Sequence, residues 1–109
     1  MNLSSEESFA KRWPEFFRDV SCGYDIPDEW ERVLWHLCAA IEWELRRASR
    51  PLTDLKISQI KNKFGGLRFY YTVVGSDNEL DRVVRAIHKL VEDAENIAYS
   101  ITKNAREEK

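Results

Sequence analysis

The chain has 109 residues, 43% hydrophobic and 33% charged, with a formal net charge of −2. That length predicts one domain, residues 1–109, large enough to bury a core. The near-balanced charge excludes a whole-molecule field drawing the chain to nucleic acid or an acidic membrane.

No apolar run approaches the roughly 20 residues of a membrane span. The polar start MNLSSEES does not read as a signal peptide. Cys22 and Cys38 stand alone, without metal-ligand spacing. The expectation is a soluble cytoplasmic protein with two reduced thiols, no metal and no cofactor. A disulfide between the two has no support in the sequence.

Residues 4–20 predict a first helix. Ser4 or Ser5 can cap it, Glu6 and Glu7 suit its first turn, and Phe9, Trp13, Phe16, Phe17 and Val20 recur at helical spacing. Pro14 falls inside this span, so the helix should kink there or restart there. Residues 21–27 read as a loop. A second helix is expected over 27–48, with Pro27, Asp28 and Glu29 at its start. Trp30, Val33, Leu34, Leu37, Ile41 and Leu45 form its core stripe. Trp35, Ala39 and Trp43 lie away from that stripe, beside Glu42 and Arg46. They are either the second buried side of a central helix or an exposed aromatic patch for a partner. Arg50-Pro51 closes the helix.

The segment 55–74 predicts a β-hairpin. Gly65-Gly66 supplies a two-residue loop that favours positive φ. With those residues as the loop, Phe64 faces Leu67, Asn62 faces Phe69 and Ile60 faces Tyr71. Alternation then sorts Ile60, Phe64, Leu67, Phe69, Tyr71 and Val73 onto one side. Gln59, Lys61, Lys63, Arg68, Tyr70 and Thr72 fall on the other. Lys61 is placed beside Tyr70, and Lys63 beside Arg68. Leu55 and Ile57 have the wrong parity for the apolar side, so either a bulge lies near Ser58-Gln59 or the strand start is buried on both sides. A lone hairpin is marginal in water, so helices must cover its apolar face.

A third helix is expected over 78–104. Leu80, Val83, Ile87, Leu90, Ala94, Ile97 and Ile101 form a seam at steps of three and four. At about 1.5 Å per residue it runs roughly 40 Å, longer than a hairpin of this size can cover. Its far half must meet the other helices or a second subunit. The fold class predicted is α+β, in the order α-α-β-β-α.

The stretch QIKNKFGGLRFYY resembles a motif of small bacteriophage and prophage proteins that typically reads Q-(V/I)-K-E-K-F-G-x-L-R-F-Y. The matching residues are Gln59, Ile60, Lys61, Lys63, Phe64, Gly65, Leu67, Arg68, Phe69 and Tyr70. The upstream part is also similar, with Trp13-Pro14, Phe16-Phe17, Cys22-Gly23-Tyr24, Trp30 and Leu37-Cys38. Asn62 departs from the glutamate of the motif. The Cys-x-x-Cys tail that many such proteins carry has no counterpart in 100–109. The resemblance implies a phage or prophage setting, in the cytoplasm of a bacterial host, and brings no activity with it.

Three cations and an aromatic on one flat surface, Lys61, Lys63, Arg68 and Tyr70 with Gln59, could bind phosphates or an acidic protein patch. The same face could equally be only a solvated exterior, where lysine discourages edge pairing. His36 and His88 read as surface or boundary residues. Glu42 with Glu44, and Glu92 with Glu95, read as solvated charges. No glycine-rich phosphate loop is present, because Gly65-Gly66 leads into a strand. These features predict a protein without catalytic residues. Its expected role is binding a protein, with a host factor or a second copy of the chain as candidates. The alternative is binding of nucleic acid or another anion through the hairpin face.

Overall fold

The computed structural model describes residues 3–20, 26–73 and 81–107. The expected loop at 21–25 with Cys22, the turn at 75–78 and the seam residue Leu80 lie outside them. The elements are α1 (Leu3–Arg12), α2 (Glu31–Arg47), β1 (Leu55–Lys63), β2 (Gly66–Val73) and α3 (Arg82–Glu107). Short 3-10 turns occupy Asp28–Trp30 and Leu52–Asp54. This is the α+β order expected, with a two-stranded antiparallel sheet.

The first helix is shorter than 4–20. It begins at Leu3, which places Ser4 and Ser5 inside it, and ends at Arg12. A residue preceding proline is pushed out of helical backbone, and Trp13 precedes Pro14. The chain neither kinks nor restarts as a helix. It makes turns in which the amides of Phe16 and Phe17 donate to the Trp13 carbonyl at 3.1 and 3.2 Å. Those turns carry Trp13, Phe16 and Phe17 into the core beside Phe9 of α1.

The second helix starts later than the expected 27–48: Asp28–Trp30 form a 3-10 turn, and the α-helix runs Glu31–Arg47. Leu34, Leu37, Ile41 and Leu45 are buried along one side. It stops in a Schellman motif: the Ser49 amide donates to Arg46 O at 3.0 Å and the Arg50 amide to Leu45 O at 2.8 Å, with Ser49 at φ 58°. Arg50 then pairs with Asp54 and Asp81, both at 3.1 Å, tying the end of α2 to the approach to α3.

The hairpin forms, but its register differs from the expectation. The loop is Phe64-Gly65, with φ 55° and 82°, flanked by Lys63 opposite Gly66. Positive φ at both loop residues is the type I′ geometry that matches strand twist. The Asn62 side chain accepts the Gly65 amide at 2.9 Å and braces the turn. Ile60 therefore faces Phe69 and Asn62 faces Leu67. Each partner has slid by two positions, which preserves side-chain parity, so the division into apolar and cationic sides survives. Phe64 is the exception: it leaves the apolar side for the tip. The bulge alternative holds, between Ile57 and Gln59, and it turns Leu55 and Ile57 into the core.

Both outer edges of the sheet are engaged. The Ile57 amide donates to Phe16 O at 3.0 Å, and Arg18 reaches Thr53 O at 2.9 Å. On the other edge the Phe69 amide donates to Glu95 of α3 at 3.1 Å. Occupied edge groups discourage strand addition there.

The third helix is buried along Ile87, Val91, Ala94 and Ala98, rotated from the expected seam. Ala98 allows close approach, and Trp30 uses it, donating its indole N–H to Ala98 O and Thr102 Oγ1, both at 3.0 Å. Val83, Leu90 and Ile101 are half-buried, while Ile97 is 53% exposed.

Candidate binding surfaces

Alternation along β1 and β2 brings Gln59, Lys61, Lys63, Arg68 and Tyr70 to the outer side of the hairpin, as expected. All but the half-buried Lys61 are exposed. The neighbours differ from the expectation: Lys61 lies opposite Arg68, and Gln59 opposite Tyr70. Lys61 still reaches Tyr70 diagonally, with its Nζ 5.5 Å from the ring centroid. Among the described residues no carboxylate forms an ion pair with Lys61, Lys63 or Arg68. The face is thus a patch of three cations held in no such ion pair.

At its end stands Phe64, 94% exposed. Together with Lys63, Gly66 and Arg68 it forms one wall of a groove of about 360 Å³, and Glu92, Glu95, Asn96 and Tyr99 of α3 form the other. Sequence reasoning missed Phe64 because the double glycine offered a loop that keeps it inside. The available signal was Asn62, a turn-bracing residue placed three positions before Gly65.

The stripe Trp35, Ala39 and Trp43 is divided by its surroundings. Trp35 packs edge-on against Trp13, centroids 4.7 Å apart, and against Phe9 at 5.2 Å, and is 39% exposed. It covers the aromatic cluster that α1 delivers. Ala39 is half-buried. Trp43 is 60% exposed, with the Arg47 guanidinium 4.8 Å from its ring centroid.

Beneath them Glu42 is buried, against the expectation of a solvated charge. It accepts hydrogen bonds from Arg12 at 2.9 Å, from the Trp13 indole at 2.9 Å and from Arg46 at 2.7 Å. Burial alone would raise its pKa. The hydrogen bonds from Arg46 and Trp13 and the charges of Arg12 and Arg46 outweigh that, so the carboxyl lies below its ordinary 4.5. The sequence signal was a tryptophan N–H in need of an acceptor, with Arg46 one turn on.

Between α2 and α3 an open groove of about 650 Å³ remains. Val33, Leu37, Ala40, Leu90, Ala94 and Ile97 line it, with Glu29, Arg32, His36 and Asp93 at its rims. The two helices run antiparallel: Trp30, at the start of α2, meets Ala98 and Thr102, while Arg47 and Ala48 lie near Arg82 and Val83.

His88 is exposed and hydrogen-bonded to the Tyr71 hydroxyl. Burial, and then the Glu95 charge, push the Tyr71 pKa up to about 12. Cys38 is fully buried and its thiol pKa is raised by burial, so its sulfur is held as the unreactive thiol. Among the described residues no cluster of His, Cys, Asp or Glu could hold a metal ion, and no helix is long and apolar enough to cross a membrane.

Comparison with family models, with curated proteins and with solved structures gives no match to this chain.

Proposed function

We propose that this chain is a non-catalytic binding protein that takes an amphipathic helix of a protein partner into the groove between α2 and α3. The carrying observation is that groove: two antiparallel helices present an open apolar trough, with Ile97 more than half exposed beside it. A third helix laid there completes a three-helix layer and buries the aliphatic floor. Rims of both signs, Glu29 and Asp93 with Arg32, match the mixed polar flanks of an amphipathic helix. The hairpin motif supports a phage or prophage setting, with a host factor as the partner.

A second reading has its own support. Lys61, Lys63 and Arg68 form a cationic face free of ion pairs among the described residues, which suits an anionic ligand, whether nucleic acid or acidic protein.

Affinity capture from bacterial lysate separates the two. Wild type is compared with Ile97→Glu and with a Lys61→Ala/Lys63→Ala/Arg68→Ala variant, and solution mass is measured for each. A partner lost with Ile97→Glu and kept by the triple variant supports the groove. A partner lost only with the triple variant moves the function to the hairpin. Equal capture by all three removes both, and a stable dimer broken by Ile97→Glu makes a second copy the occupant.

A further inference from the structure

Phe64 contributes little to the fold that holds it. Its backbone lies at φ 55°, a region disfavoured for any residue bearing a Cβ. In a type I′ loop that position suits Asn, Asp or Gly. With its ring 94% exposed, Phe64 buries almost nothing in exchange. Residues held in sparsely populated backbone regions cluster at functional sites. The neighbours give this one a chemistry. Lys63 and Arg68 stand beside it, Lys61 and Tyr70 continue the cationic face, and Tyr99, 56% exposed, faces it from α3.

We propose that the hairpin tip docks an acidic protein segment carrying an apolar side chain. That side chain enters the groove shared by Phe64 and Tyr99, and the flanking carboxylates of the segment lie on Lys61, Lys63 and Arg68. The inference rests on the reading of the hairpin as an anion-binding face and names its ligand. Glu92 and Glu95 on the far wall select against nucleic acid. A continuous phosphate strand in the groove must pass them, whereas a polypeptide can place a neutral or basic residue there.

The test uses the full chain and a fluorescent peptide of alternating glutamate and leucine, followed by anisotropy at low salt. Oligothymidylate and inorganic phosphate serve as competing probes. Phe64→Asn should raise Tm by about 4–8 °C, because asparagine relieves the left-handed strain. The same substitution should weaken peptide binding about tenfold. The Lys61→Ala/Lys63→Ala/Arg68→Ala variant should abolish it. Peptide binding that survives Phe64→Asn but not the triple variant leaves the anion-binding face standing and overturns the role of the tip. Oligothymidylate binding tighter than the peptide overturns the choice of ligand. Failure of wild type to bind any of the three probes overturns both the inference and the reading beneath it.

Discussion

Removing the Glu42 carboxylate should unlatch α1 and the turn after it from α2, and its three donors predict by how much. Arg12 and Arg46 keep side-chain exposures of 48% and 64%, so both regain water and their share is about 1 kcal/mol. Trp13 is fully buried. Its indole N–H, deprived of the 2.9 Å bond to Glu42, becomes an orphan donor costing about 1–3 kcal/mol. Glu42→Ala should therefore lose about 3 kcal/mol. Glu42→Gln keeps the shape and an acceptor for Trp13, and should lose about 1 kcal/mol. Urea unfolding at neutral pH, followed by circular dichroism, measures both. In thermal melts each kcal/mol corresponds to roughly 5 °C. Equal stability of the two variants would refute the dependence of Trp13 on this acceptor. The folded carboxyl lies below its ordinary 4.5, so its contribution is present above that value and is lost as pH falls through the folded pKa. The gap between wild type and Glu42→Gln should close in acid, and a gap constant to the acid limit contradicts the assignment.

The hairpin register is open to a paired test. Gly65→Ala forces a Cβ onto φ 82° and should cost about 1 kcal/mol. Gly66→Ala meets only the mobile end of Arg68 at 3.4 Å and Lys63 O at 3.5 Å, and should stay within about 0.5 kcal/mol of wild type; equal losses would restore the double glycine as the loop. Trp30→Phe removes the indole bonds to Ala98 and Thr102 and should cost about 2 kcal/mol. Amide exchange in the last turns of α3 should quicken before global unfolding, and unchanged protection there would show that Trp30 does not fasten that end.

The element order and the two sides of the hairpin were legible because period-two sorting is robust. A slide of two positions in pairing leaves parity intact, so Lys61 and Arg68 point outward under either register. What the sequence did not disclose was the choice between two adjacent two-residue loops. Glycine at both 65 and 66 made one loop look cheaper, while the Asn62 side chain, accepting the Gly65 amide, braces the other. Pro14 was visible as an interruption. Its consequence was not, because the turns that replace a helix there are held by the burial of Trp13, Phe16 and Phe17 against residues distant in sequence.

The candidate surfaces were less legible than the fold for a related reason. Gln59, Lys61, Lys63, Arg68 and Tyr70 could be grouped because one strand pair carries them. The α2–α3 groove consists of what two helices fail to cover, and that depends on the rotation of α3. The expected seam through Leu80, Val83, Ile87, Leu90, Ala94, Ile97 and Ile101 would bury Leu90, Ile97 and Ile101. The observed line through Ile87, Val91, Ala94 and Ala98 instead puts Ala98 beside Trp30 and leaves Ile97 outside. The indole of buried Trp30 reaches the Ala98 carbonyl and fastens this side of α3 to the start of α2. With α3 turned this way, Leu90, Ala94 and Ile97 line the trough proposed to receive a partner helix.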